Sequence, residues 1–275
     1  MQLSFWIVIL LAIVQGLTEY LPVSSSGHLV LVETLLDLRG EGGLGGVMFE
    51  VAVHAGTLAA VLHFYRRRIG SLIRSVWIFT TSGFGTTEAT EGDLRFILYI
   101  IVASIPIALV GLFLHDSILA AFDSPGLVSS MLIATGVFLL FSRMRKGERG
   151  LTLGMALVIG AVQAVALMPG CSRSGWTITA GLLLGLGFEE AAEFSFILSV
   201  PAILGALGLE MYMEPMDVSD GRIPFLLLGA VVAFISGLVA LKLLLGVLKR
   251  GALHRFAYYL IPVGLAMVLF FGLNH

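Results

Sequence analysis

A chain of 275 residues that is 58% hydrophobic and only 12% charged, with a mean hydropathy of +1.01, lies outside the range of water-soluble globular proteins. A net charge of −2 gives no footing for a nucleic-acid partner, and a single cysteine, Cys171, excludes an intrachain disulfide. What remains is an integral membrane protein, a single membrane domain over 1–275, with no soluble domain large enough to bury its own core.

The first apolar run, 3–14, has no basic leader and passes straight into Gln15 and Glu19, so it reads as part of the mature protein rather than as a signal peptide. Segments long enough, or nearly so, to cross a bilayer of about 30 Å follow at 46–64, 96–114, 127–142, 191–211, 224–248 and 256–273. Two pieces differ in character. In 3–38 and 151–187, two short apolar runs are separated by a polar island containing Gly and Pro, the pattern of a hairpin that enters the membrane and returns. The stretch 77–91, rich in Thr, Ser and Gly, reads as part of a solvated or interfacial connector.

Lys and Arg collect in cytoplasmic loops. Arg66, Arg67, Arg68, Arg74 and Arg95 flank one connection; Arg143, Arg145, Lys146 and Arg149 fill a second; Lys242, Lys249, Arg250 and Arg255 bracket a third. The remaining connections carry His115, Asp116 and Asp123, or Glu210, Glu214, Asp217, Asp220 and Arg222, and belong outside; Arg39, Arg222 and Arg173 alone fall outside the cytoplasmic set. With the spans so oriented, 151–187 must start and finish inside and cannot cross. The expected fold is an all-α polytopic membrane protein built as an inverted-topology repeat, each half one re-entrant helical hairpin plus three transmembrane helices, repeat 1 about 1–145 and repeat 2 about 150–275. The alternative is a seventh span completed by 29–38. A fixed register supports the duplication: Val14-Gln15-Gly16 aligns with Val162-Gln163-Ala164, and Ser24-Ser25-Ser26-Gly27 with Ser172-Arg173-Ser174-Gly175 at the same offset.

The two islands carry the chemistry. Gln15-Gly16-Leu17-Thr18-Glu19-Tyr20-Leu21-Pro22-Val23-Ser24-Ser25-Ser26-Gly27-His28 sets a carboxylate, three serines and an imidazole between apolar runs, and Pro169-Gly170-Cys171-Ser172-Arg173-Ser174-Gly175-Trp176-Thr177 plants an arginine in the same Ser-x-Ser-Gly frame. Ionisable groups at membrane depth are expensive and mark functional sites, and inverted repeats with broken helices place their shared site at the repeat interface. Ser-x-Ser-Gly before an apolar run is an N-cap signal, and such a helix start binds anions, phosphate especially. The Arg173 fork suits bidentate phosphate contact, and its partner should be Glu19 or the ligand. Gln15 and Glu19, four apart on a helix, share a face and offer hard oxygen ligands for Mg²⁺ or Ca²⁺. Glu19 could also act as a base. Glu19, Ser25 and His28 supply an activated nucleophile or an acid-base pair; spacing alone leaves open whether Ser25 or His28 attacks, with His28, directly or through water, slightly preferred. The plainer readings are that the serines only cap helices, that His28 only hydrogen-bonds, and that Arg173 only neutralises Glu19. His54, His63, His115, His254 and His275 read as structural or interfacial, His54 least securely because it lies inside a span.

Together the islands resemble the undecaprenyl-pyrophosphate phosphatase family, the bacitracin-resistance type of lipid pyrophosphatase. Gln15 to Glu19 is similar to its Glu/Gln-x-x-x-Glu motif, and 169–177 to its Pro-Gly-x-Ser-Arg-Ser-x-x-Thr motif; Phe49-Glu50-Val51 and Glu193-Phe194-Ser195-Phe196 extend the likeness over the chain. The resemblance implies a multi-pass enzyme of the bacterial cytoplasmic membrane that removes the terminal phosphate of a C55 polyprenyl diphosphate and regenerates the carrier for peptidoglycan synthesis. Its site would face the outer side and need a divalent cation, with Glu19, Ser25, His28 and Arg173 catalytic and Gln15 joining Glu19 as metal ligand. Ser24, Ser26, Gly27, Ser172, Ser174, Gly175 and Thr177 would bind substrate. The expected partners are the lipid substrate and membrane lipids, with a homodimer left open. Gln15 stands where some members carry Glu, so Glu19 is the one acidic residue of the first island. The type-2 phosphatidic acid phosphatases share superficial Ser-Gly-His and Ser-Arg elements, but Thr179 stands where their nucleophilic His should be. A transporter of polyprenyl phosphate or a small anion is the rival function.

Overall fold

The computed structural model describes residues 5–38, 46–82, 87–145, 147, 149–213 and 223–273; the predicted acidic external connection at 214–222 lies outside them. Every regular element within these residues is helical. The first hairpin is α1 (Phe5–Tyr20) and α2 (Ser25–Leu35), followed by α3 (Gly46–Phe64), α4 (Arg66–Thr81), α5 (Glu88–Phe113), the short α6 (His115–Phe122) and α7 (Pro125–Leu140). The second hairpin is α8 (Leu153–Val165) and α9 (Arg173–Leu184), followed by α10 (Phe188–Met213), α11 (Ile223–Lys249) and α12 (Ala257–Leu273).

Length separates spanning from re-entrant helices. At 1.5 Å per residue, the 26 residues of α5 rise about 39 Å, enough for a bilayer, whereas α1 with 16 residues and α8 with 13 rise about 24 and 20 Å. Instead of completing a seventh span, the 11-residue α2 folds back along α1, its Leu29 and Val32 packing with Val8, Leu11 and Ala12. Among the described residues five helical segments are long and apolar enough to cross, and up to six if the bent pair α3 and α4 is counted as one. Three crossings, by α3, α5 and α7, separate the hairpins, so the second hairpin enters from the face opposite the first.

The predicted connector after the third element is largely helix. At Tyr65 the chain turns by 76° and continues as α4. This helix has three faces. Leu72 and Ser75 are buried against the protein, Ile73, Val76 and Trp77 are exposed apolar side chains, and Arg66, Arg67 and Arg74 form an exposed basic edge. Arg68 turns inward, bonding through Nε to Glu193 Oε1 at 2.8 Å, pairing with Asp93, and lying over the Phe96 ring.

In lipid, apolar side chains gain little by leaving an apolar solvent, so helices associate through close packing and hydrogen bonds. Glycines mark the crossings. A Cβ on Gly56 would come within 2.2 Å of the Ala230 carbonyl oxygen, and one on Gly160 within 2.3 Å of that of Ala103, which brings α3 against α11 and α8 against α5. Partners are exchanged between halves: α1 packs on α11 as α8 packs on α5, while α3 meets α10 and α7 meets α12. Tyr20, Phe194 and Phe196 are fully buried at the centre, the Tyr20 and Phe196 rings edge to face at 5.6 Å.

Candidate active site

Each hairpin tip is a short turn that ends in a capped helix. In the first, the Ser24 hydroxyl accepts from Gly27 N at 3.2 Å; in the second, Ser172 accepts from Gly175 N, also at 3.2 Å. Gly170 takes the left-handed conformation the second turn needs, with φ of 91°. Ser24 itself has φ of 71°, a conformation that costs a non-glycine residue about 1–3 kcal/mol and persists only where its surroundings enforce it. Here they do: Ser24 is buried, and its carbonyl accepts bonds from the backbone N–H and ring Nδ1 of His28.

The tips touch. A Cβ on Gly27 would lie 3.0 Å from Gly170 Cα, one on Gly175 would lie 3.1 Å from Pro22 Cβ, and Ser174 donates its hydroxyl to the Leu21 carbonyl at 3.3 Å. Thr135 of α7 secures the second tip, donating to the Gly170 carbonyl and accepting from Ser172 N and Trp176 Nε1. Between the tips, Arg173 Nη2 pairs with Glu19 Oε1. The other carboxylate oxygen, Oε2, accepts from Ser25 Oγ at 2.6 Å and Gln15 Nε2 at 3.0 Å. The islands therefore meet, and the expected Glu19 to Arg173 pair is made between halves. Both side chains are largely buried, so each charge depends on the other and on these hydrogen bonds.

The predicted residues divide into two groups. Ser25, Ser26, His28 and Arg173 are partly accessible and line the junction. Ser24, Gly27, Ser172, Ser174, Gly175 and Thr177 are buried; most of their polar groups are engaged by the turns themselves. Thr177 donates to the Arg173 carbonyl at 2.8 Å and meets Ser195 Oγ at 2.6 Å, which steadies the helix start that carries the arginine.

Two residues join the site that the sequence did not assign to it. His54 of α3 bonds through Nδ1 to the Glu50 carbonyl, and its Nε2 stands 3.9 Å from Glu19 Oε2. Its position inside a span was the only signal. Tyr259 of α12 stacks on His28, centroids 5.7 Å apart, with its hydroxyl 2.8 Å from His28 Nε2. Nothing in the sequence marks it out.

Among the described residues no three His, Cys, Asp or Glu side chains are grouped to hold a metal. Gln15 Oε1, however, is buried without a hydrogen-bond partner while Nε2 of the same amide faces Glu19, so with the amide reversed the two side chains would make a hard-oxygen donor pair. Such a pair fits a cation that completes its shell with phosphate oxygens and water, as Mg²⁺ does.

Fold and site together define a polytopic membrane protein whose polar centre is shared by two re-entrant hairpins and suited to an anionic head group. The chain belongs to the family described as Bacitracin resistance protein BacA, matching it over residues 8–266. It is 40% identical over 266 residues to the undecaprenyl-diphosphatase of Korarchaeum cryptofilum, covering 94% of this chain and 97% of that protein. To the undecaprenyl-diphosphatase of Syntrophotalea carbinolica it is 42% identical over 261 residues, 94% of this chain and 95% of the relative. For the enzyme of the same name from Rhodopirellula baltica the figures are 39% over 268 residues, 95% and 96%.

Proposed function

We propose that this protein is an undecaprenyl-diphosphatase, hydrolysing the terminal phosphate of undecaprenyl diphosphate and so returning the monophosphate carrier to peptidoglycan synthesis. Full-length likeness to relatives of that name supports the reaction. The observation that carries the site is the Glu19 carboxylate, held by Arg173 on one oxygen and by Ser25 on the other.

In this reading the diphosphate lies between the tips, gripped by the Arg173 fork and by the first N–H groups of α2 and α9, where the helix dipoles favour negative charge. The prenyl tail runs along lipid-facing helices. Ser25 Oγ attacks the terminal phosphorus and yields its proton to Glu19; the bridging P–O bond breaks and undecaprenyl phosphate departs. Water then attacks the phosphoserine and passes a proton to His28 Nε2, while the Ser25 oxygen recovers its own from Glu19. Ser25 is preferred over His28 as nucleophile because its hydroxyl already donates to a carboxylate, whereas both His28 nitrogens are engaged. A divalent cation held by Glu19 and Gln15 Oε1 would supply charge neutralisation at the diphosphate. We place the protein in the cytoplasmic membrane with the site open to the outer side.

Purified protein in detergent should release phosphate from undecaprenyl diphosphate, and a rapid acid quench should trap phosphate on Ser25. Ser25→Ala should lose turnover by about a thousandfold or more. Phosphate mapped to another residue would move the nucleophile. A protein that acts only in sealed vesicles would instead be a transporter, because hydrolysis needs no sealed membrane.

A further inference from the structure

His28 is gripped at both ring nitrogens, and the two grips differ in kind. At Nδ1, 2.8 Å away, is the carbonyl oxygen of Ser24, which can only accept. Nδ1 therefore carries the hydrogen, and the neutral ring keeps its lone pair on Nε2. At Nε2, also 2.8 Å away, is the Tyr259 hydroxyl, which must donate into that lone pair. The rings lie nearly parallel, 16° between planes, so the contact fixes the tilt of an imidazole whose tautomer the Ser24 carbonyl already sets.

Tyr259 comes from an unexpected place. It sits 231 residues from His28 in sequence, on the last helix and in neither hairpin. It is 47% exposed on a helix whose other exposed large residues, apart from Tyr258, are Leu265, Leu269, Phe270 and Leu273. The polar end of this phenol meets the one basic nitrogen of His28. The helix is itself anchored: α12 packs on α7, which carries the Thr135 that secures the second tip.

We propose that Tyr259 is the positioning residue for His28. Resting on the phosphatase reading, its role is to hold Nε2 unprotonated and oriented until the hydrolytic water of the second step takes the place of the phenol. It makes no bond to phosphorus and donates no proton to product. Its effect falls on dephosphorylation of Ser25 rather than on substrate binding.

The test compares the full-length wild type with Tyr259→Phe, which keeps the ring and removes the hydroxyl, and with Tyr258→Phe as a neighbouring control. In Tyr259→Phe, kcat should fall about tenfold, a fraction of what a general base contributes, with KM within about twofold and phosphoenzyme accumulating in the steady state. With ¹⁵N-labelled histidine, the His28 Nε2 resonance should shift as its hydrogen bond is lost, while Nδ1, still facing the Ser24 carbonyl, keeps its hydrogen. Tyr258→Phe should change neither. The proposal is overturned if Tyr259→Phe leaves kcat and the His28 nitrogen signals unchanged, or if it lowers thermal stability and activity together while the Nε2 resonance stays in place. The nitrogen signals need no turnover, so a wild type that hydrolyses nothing would fail the phosphatase reading while the hold of Tyr259 on His28 was still decided.

Discussion

Arg173 neutralises a buried carboxylate in the free protein and, on the reading proposed above, grips phosphate in the loaded one, two duties that pull in different directions. Removing it should expose both. Arg173→Ala leaves Glu19 buried without its counter-charge and should destabilise the protein by about 3–5 kcal/mol, read as a lower unfolding temperature in detergent. Adding Glu19→Gln should restore much of that stability but no activity. Arg173→Lys keeps the charge without the planar fork, so stability should stay near wild type while KM rises about tenfold. This pairing was legible in the sequence because a lone cation and a lone carboxylate in apolar surroundings each demand a partner. His54 and Tyr259 were not. A histidine within a span has many structural uses, and a tyrosine on a lipid-facing helix carries no local pattern that points 231 residues back along the chain.

At the scale of elements, apolar length read the spanning helices correctly and hid α4. Its residues Ile69, Leu72, Ile73, Val76 and Trp77 recur at helical spacing, the pattern of an amphipathic helix, but the stretch is too polar to register as a span. Only the charges hinted at contacts beyond solvent. Arg68 ties α4 to α5 through Asp93 and to α10 through Glu193, and Ser75 adds a bond to Asp93 Oδ2 at 2.8 Å. Arg68→Leu should cost about 1–2 kcal/mol, less than a fully buried network because Glu193 is a third exposed. Limited proteolysis should then cut first near α4, with phosphate release per folded molecule little changed, since the network makes no contact with the tips.

For the whole molecule, the repeat was visible in the fixed offset between the Ser-x-Ser-Gly turns, but the exchange of partners was not. Which helices pack together depends on how two inverted halves interlock, and the grooves they fill are set by small residues such as Gly56 and Gly160 that hydropathy ignores. Interlocking has a measurable effect. Chains 1–145 and 149–275 expressed separately should each be inactive and readily degraded, because α1 and α3 need α11 and α8 needs α5. Expressed together they should restore phosphate release to a substantial fraction of wild type. Independent activity of either half would refute a site shared between them.

The separation of 154 positions from Glu19 to Arg173 also sets a timetable. Ribosomes add about 5–20 residues per second, so the first hairpin waits on the order of 10–30 s after its own synthesis for its counter-ion, and longer for α11. During that interval Glu19 has only Gln15 and Ser25 from its own segment as partners. The nascent hairpin must stay neutral, stay near water, or be sheltered by the insertion machinery. Catalytic competence therefore arrives late in biosynthesis, after most of the chain is already in the membrane.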